Sequence, residues 1–237
     1  MPDSIARRIA EFDWTLLRAA LDDRGYAVTP PLLTVAECAL LRALYQEEER
    51  FRSKVVMARH RFGEGEYKYF ANPLPALAAE LRENLYERVA PVANEWCAAL
   101  REKCIFPARL GSFLEACRQA GQTRPTPLLL CYEAGGYNCL HQDLYGEIAF
   151  PLQFTILLSD PTTDFTGGEF LLLETRPRMQ SRGSAVALQQ GAAILFPTRY
   201  RPMRGARGWY RAGVRHGVSR IESGKRMTLG IIFHDAR

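Results

Sequence analysis

The 237-residue chain has no apolar run long enough to span a bilayer, which argues against an α-helical membrane protein and against a membrane partner. Its opening stretch, MPDSIARRIAEFDW, lacks the apolar core of a secretory signal, so a cytoplasmic location is expected. The six cysteines, Cys38, Cys97, Cys104, Cys117, Cys131 and Cys139, make no CxxC pair and no disulfide-framework spacing; they are expected to be reduced thiols. Internal repeats and low-complexity tracts are absent. So is an excess of acid: 31 Lys and Arg stand against 26 Asp and Glu, a net +5. That excludes an acidic disordered tail protein but is too small alone to indicate nucleic-acid binding.

What is present is ordinary globular material. With 47% hydrophobic and 24% charged residues, a chain of this length buries enough surface to fold without a disulfide or structural metal. The first half reads as helical. Ile5, Ile9, Phe12, Leu16, Leu17 and Ala20 form one amphipathic stripe that stops near Gly25. Thr34 and Glu37 have capping-box spacing ahead of Leu40, Leu41 and Leu44. Helical stretches follow at roughly 75–103 and 109–120, with a Gly-broken strand region before them and a breaker cluster at 122–127. Beyond it, LLLCYEAG, FPLQFTILLSD, GGEFLLLE, GAAILFP and RMTLGIIF are short strands of a sandwich or barrel. The expectation is a single α+β domain over 1–237: a mainly helical support region at 1–125 and a β core at 126–237.

Histidine is scarce, with only four residues. His141 and Asp143 form a His-x-Asp pair after the first core strand; in extended backbone they point to one face and can converge on one ion. The pair alone is a weak signal. His216, just ahead of the last strand, completes two imidazoles and a carboxylate, a set that leaves coordination positions open as in non-haem Fe(II) oxygenases. Zinc is more often closed by Cys or a third His. Arg226, Thr228 and Gly230 share a strand face. A guanidinium inside a barrel requires an anion, and a carboxylate cosubstrate would satisfy it bidentately, with the Thr228 hydroxyl as a second donor. An Arg reaching solvent from the strand's start is the alternative. Tyr132, on the preceding strand, could reach the same carboxylate. His60 and His234 read as structural or surface residues, and Cys131 and Cys139 as packing residues.

The ordered set Tyr132-x-x-x-Gly136, His141-x-Asp143, GGEF at 167–170, GAAILFP at 191–197, His216 and Arg226 resembles the 2-oxoglutarate- and Fe(II)-dependent dioxygenases, in the prolyl-4-hydroxylase-like layout. The N-terminal half resembles a bacterial family of that superfamily labelled as oxygenases acting on damaged nucleic acid. The resemblance implies a double-stranded β-helix (jelly-roll) core, Fe(II) on His141, Asp143 and His216, and 2-oxoglutarate held by Arg226 with Tyr132 and Thr228. It also implies O₂ as oxidant, release of succinate and CO₂, and hydroxylation of a substrate, with formaldehyde lost if an N-methyl group is the target. Two positions depart from the prolyl-hydroxylase pattern. Arg226 stands where those enzymes usually carry Lys, and Phe170 follows Gly-Gly-Glu where a polar residue is common.

Charge placement adds a partner expectation. Residues 175–226 hold eleven Arg and one Lys against the single acid Glu222, a local +11 that leaves −6 for the remainder. Arg204, Arg207 and Arg211 interleave with Trp209 and Tyr210 just before His216, a composition suited to phosphate contact and base stacking. Arg59, Arg61, Lys68, Tyr67 and Tyr69 are expected to join them at the mouth of the site. Nucleic acid or another anionic substrate is the expected partner, although a solvated Arg-rich loop has the same composition. A protein side-chain hydroxylase, or a non-catalytic jelly-roll sensor retaining the metal motif, would share the core motifs.

Overall fold

The computed structural model describes residues 4–237; Met1–Asp3, the start of the segment read as leader-free, lie outside the described residues. In chain order the elements are α1 (Ile5–Glu11), α2 (Trp14–Arg24), β1 (Ala27–Pro31), α3 (Val35–Ala43), β2 (Phe51–Val56), β3 (Gly63–Glu64), β4 (Glu66–Phe70), α4 (Ala76–Ala99) and α5 (Leu110–Gln119). Ten strands follow: β5 (Leu128–Glu133), β6 (Tyr137–His141), β7 (Leu152–Leu157), β8 (Phe165–Gly167), β9 (Phe170–Thr175), β10 (Arg182–Val186), β11 (Ala192–Pro197), β12 (Tyr200–Gly205), β13 (Gly208–Val218) and β14 (Ile221–Ile231).

Local chemistry explains where the helices begin and end. The stripe from Ile5 to Ala20 is two helices rather than one, because the Asp13 side chain accepts the Leu16 N–H at 2.9 Å and starts α2 afresh. Gly25, at φ 85°, ends α2 in the left-handed conformation. The Thr34–Glu37 capping box forms as expected.

Antiparallel pairing then builds two sheets. The large one runs β1-β11-β7-β14-β5-β4-β2, with β8 also paired to β14; the small one runs β10-β9-β13-β6-β3, with β12 as a hairpin on β13. Leu157, Ile194 and Phe196 of the large sheet pack between the sheets against Phe170, Leu172, Val214 and Val218 of the small one, giving a jelly roll. Alternation sorts each large-sheet strand. Met227, Leu229 and Ile231 of β14 join the helical core, whereas Arg226, Thr228 and Gly230 face the jelly-roll interior. Because β1, β2 and β4 from the first half are strands of the large sheet, position 125 divides helix-rich from strand-rich sequence, not one packing unit from another.

Helix α4 covers the large sheet with a face that includes Leu81, Leu85, Tyr86, Val89 and Ala93. Its buried Arg82 donates to the Ile232 and Phe233 carbonyls and to Asp235 at 2.7 Å, fastening the helix to the end of β14. Among the described residues no helix is long and apolar enough to cross a membrane.

The cysteine expectation is corrected: Cys97 and Cys104 form a disulfide, while Cys38, Cys117, Cys131 and Cys139 are free. The pairing arises because α4 ends by folding back. The Leu100 and Glu102 N–H groups donate to the Trp96 and Cys97 carbonyls, returning the chain toward Cys97. Cys131 packs in the helical core as expected, but Cys139 is exposed.

His234 is fully buried and accepts the Phe150 N–H at Nδ1, consistent with its structural reading. Burial pushes its imidazole down to about 4. Between there and the ordinary histidine value near 6.5 the unfolded chain binds a proton that the folded chain refuses, so stability falls as pH drops through this window. For the metal-free protein, denaturant unfolding at pH 7 and pH 4.5 should show a loss from this residue of roughly 2 to 3 kcal/mol. His234→Asn, which keeps an acceptor for Phe150, should flatten that slope; an unchanged slope would assign it elsewhere.

Candidate active site

His141 and His216 are directly opposite one another on β6 and β13, and their ring centroids are 4.2 Å apart. Gly217 permits this approach, since a Cβ there would meet the Asn138 carbonyl oxygen at 2.5 Å. Asp143, just past the end of β6, turns its carboxylate between the rings: Oδ2 lies 3.1 Å from His216 Nε2 and Oδ1 lies 3.5 Å from His141 Nε2. One ligand atom from each of the three residues falls within 4.8 Å of the others. The His141 Nδ1–H donates to the Cys139 carbonyl at 2.8 Å, which leaves Nε2 as the free lone pair. Phe170 stacks on His216 at 5.8 Å, and Phe196 lies 4.7 Å from the same ring. The departure at Phe170 is thus an apolar wall beside an imidazole.

The electrostatics are those of a cation site. Burial would raise the Asp143 carboxyl, but the neighbouring His216 and His141 outweigh it and hold the group well below the usual carboxylate range. Burial, with His141 adding to it, pushes His216 down and favours its neutral, metal-binding form. Tyr145 donates its hydroxyl to Asp143 Oδ1 at 2.6 Å, leaving Oδ2 as the oxygen turned toward His216.

Arg226 and Tyr132 are opposite one another on β14 and β5, both facing inward. Arg226 is 2% exposed, and its Nε and Nη1 have no hydrogen-bond partner among the described residues. Burial lowers its guanidinium to about 10, so it stays charged at neutral pH. Gly168, at φ 68°, makes room for it: a Cβ there would come within 2.8 Å of Arg226 Cδ. Thr228, two residues on, is buried on the same face. The Tyr132 hydroxyl accepts from Asn138 Nδ2 at 3.2 Å.

All six residues line one cavity of about 320 Å³, together with Arg61, Tyr67 and Tyr69. Four orphaned buried polar atoms belong to residues that line it: Arg226 Nε and Nη1, His216 Nδ1 and Gln153 Nε2. Native interiors rarely leave such groups unpaired, so the cavity is built to receive a polar ligand. The donor set of two imidazoles and a carboxylate fits Fe(II), and the unpaired guanidinium fits the distal carboxylate of a keto acid. Tyr145 and Gln153 were absent from the sequence-based site. Tyr145 had a signal, since it continues the two-residue spacing of His141 and Asp143. Gln153 had none, standing in an apolar strand run.

Other expected residues lie elsewhere. Arg204, Arg207, Trp209, Tyr210 and Arg211 belong to the β12–β13 hairpin and line no part of the cavity. Trp209 is seven residues from His216 along a continuous strand, roughly 23 Å at the strand rise. Sequence proximity within one long strand is not spatial proximity. Lys68 also departs from expectation: it points away from the cavity into the helical side of β4, where it is 2% exposed and donates to Glu48 and the Tyr45 carbonyl. Arg59 is exposed and does not line the cavity. The +11 segment is also less bare than its sequence window implied. Glu174, one residue outside it, binds Arg176 and the buried Arg201, and Glu102 binds Arg211.

Comparison with known proteins agrees with this geometry. Two uncharacterized proteins from Mycobacterium tuberculosis strains are 52% identical over 167 residues, covering 70% of this chain and 72% of theirs. Among solved structures, a 2OG-Fe(II) oxygenase-family oxidoreductase from Burkholderia pseudomallei aligns over 95% of this chain and 93% of its own, with 16% identity and a TM-score of 0.53. The non-heme α-ketoglutarate-dependent epimerase SnoN from nogalamycin biosynthesis aligns over 92% and 81%, with 16% identity and a TM-score of 0.55. A Pseudomonas putida prolyl-4-hydroxylase aligns over 94% and 99%, with 13% identity and a TM-score of 0.50. At these identities the likeness is one of fold. Residues 65–236 match the family model described as "Oxygenase, catalysing oxidative methylation of damaged DNA". The chain therefore belongs to that oxygenase family, and carries it on the fold of the 2-oxoglutarate- and Fe(II)-dependent oxygenases, whose metal and cosubstrate its His-Asp-His group and buried arginine suit.

Proposed function

We propose that this oxygenase hydroxylates nucleic acid, demethylating it when the target is an N-methyl group, with His141, Asp143 and His216 holding Fe(II) and Arg226, Thr228 and Tyr132 holding 2-oxoglutarate. The observation that carries the cofactor assignment is the unpartnered, buried Arg226 guanidinium in the same cavity as the three donors. Bound there, Fe(II) with 2-oxoglutarate and O₂ supplies oxidation of a substrate C–H bond, releasing succinate and CO₂. The chain's own residues orient and exclude. Arg226 and Thr228 fix one end of the cosubstrate, Phe170 and Phe196 keep water from the His216 side, and Tyr145 holds Asp143 to one free oxygen. The nucleic-acid assignment is supported by the family's description and by the cavity lining, where the Arg61 guanidinium suits a phosphate and the Phe62, Tyr67 and Tyr69 rings suit a base.

Succinate formation from 2-oxoglutarate, with an N-methylated single-stranded oligonucleotide as substrate, tests the reading. Turnover should require added Fe(II), release formaldehyde, and vanish in Asp143→Ala. Arg226→Met should raise the 2-oxoglutarate KM roughly 30-fold, the loss of about 2 kcal/mol from one charged hydrogen-bonding group, while Fe(II) affinity stays the same. Iron-independent succinate release, or an unchanged KM in the arginine variant, would overturn it.

Tyr145 carries a separate expectation. Removing a hydrogen bond to a ligating carboxylate typically weakens metal binding 10- to 100-fold. Tyr145→Phe should weaken Fe(II) binding within that range in anaerobic titrations, with little change in the 2-oxoglutarate KM at saturating iron.

A further inference from the structure

The arginines that leave the cavity gather on one surface. Along β13 the side chains alternate: Ala212, Val214, His216 and Val218 are buried toward the jelly-roll interior, while Trp209, Arg211 and Arg215 are exposed on the opposite face. Arg204 of β12 lies directly across from Trp209 and so shares that outer face. Arg207, exposed, stands in the turn between the two strands. The face is open at two glycines. A Cβ at Gly213 would meet only the Thr175 carbonyl oxygen, at 3.9 Å, and one at Gly183 would meet nothing within 4 Å.

Among the described residues, helical structure reaches this surface only where the end of α4 meets β12 and Glu102 meets Arg211 and Tyr200. The helix-packed core draws strand residues from the large sheet alone, and Arg204, Trp209 and Arg215 on the small sheet's outer face are exposed. Acids neutralise it only in part. Glu102 holds Arg211, and Glu174, opposite the inward-facing Val214, is buried and holds Arg176 and Arg201 from the other side. Arg204, Arg207 and Arg215 have no acidic partner among the described residues. Trp209 is 52% exposed beside them. A tryptophan left in water among unpaired guanidinium groups has no folding role that explains it. Stacking on a base while arginines meet flanking phosphates accounts for both features.

We propose that the outer face of the small sheet is a track for single-stranded nucleic acid, with Arg204, Arg207 and Arg215 on phosphates and Trp209 stacked on a base. This rests on the nucleic-acid reading above and adds where the strand runs. Trp209 to Arg215 spans roughly 20 Å of strand, so the track holds several nucleotides outside the cavity. It ends at β6, the next strand of the sheet, whose Cys139, Leu140 and His141 also line the cavity. A strand lying on this face would therefore deliver one nucleotide to the opening while the remainder stays on the sheet.

Fluorescence anisotropy with a 5′-labelled thymidine 12-mer, titrated with full-length protein at several salt concentrations, tests the track. The four side chains are exposed, so the variants are compared with the parent at matched unfolding midpoints. The triple variant Arg204→Gln, Arg207→Gln and Arg215→Gln should bind at least tenfold more weakly. Its salt slope should fall by about 2, near 0.7 for each lost single-strand phosphate contact. Trp209→Ala should weaken binding at least fivefold with the slope unchanged. If the parent binds the 12-mer and both variants bind it equally well, the track is wrong while the nucleic-acid reading stands. A parent that fails to bind the 12-mer overturns both. A parent that binds a 12-residue polyglutamate as tightly, with the same loss in the triple variant, overturns the track in favour of an acidic-peptide surface.

Discussion

The constraint on which the rest depends is the two-residue alternation of β14, a strand that serves two environments at once. Met227, Leu229 and Ile231 are packed under the helices, and every second residue between them is presented to the interior of the jelly roll. This puts a guanidinium almost wholly out of solvent, 2% exposed. A charge so placed is tolerated only if something pairs with it, and nothing in the described chain pairs with Arg226 Nε or Nη1. The fold carries an incomplete interaction that an anionic ligand completes. The rest of the cavity is arranged around that incompleteness: the His-Asp-His group in the same space, Gly168 clearing room for the arginine, and Gln153 leaving a further donor open.

The same alternation separates the protein's two arginine populations. On β14 it turns Arg226 inward, and on β13 it turns Arg211 and Arg215 outward while directing His216 to the cavity. A third population is structural. Arg82 fastens α4 to the end of β14, and Arg201 donates to Glu174 and to the carbonyls of Asp22 and Asp23 at the end of α2, where a cation suits the helix dipole. One residue type thus supplies a ligand hook, an exposed charge and a structural tie, and the pleat of the strand decides which.

Much of this was legible before the fold was known. The short, regularly spaced strands pointed to a sandwich or barrel core, and the spacing of His141 and Asp143 gave their common direction. Arg226, Thr228 and Gly230 were readable as one face from their alternation alone. Other features were not. Asp13 splits the first helix through a single side-chain hydrogen bond that the apolar stripe conceals. Lys68 sits in a charged stretch yet is buried with Glu48 and the Tyr45 carbonyl, because its strand turns it to the helical side. The disulfide between Cys97 and Cys104 depends on how α4 unwinds at its end, which cysteine spacing does not report.

Sequence by itself determined which residues share a face, because a strand's period is fixed by backbone stereochemistry. It therefore put His141 and Asp143 in one direction and Arg226 on one face with Thr228 and Gly230, while leaving open whether that arginine turned inward. Tertiary structure alone decided distances between faces: that β6 lies against β13 so His141 meets His216, that Tyr145 returns its hydroxyl to Asp143, and that the basic hairpin projects away from the cavity its sequence adjoins. Those facts depend on sheet order and on which strand pairs with which. Such pairings join residues far apart in the chain, and local pattern carries no record of them.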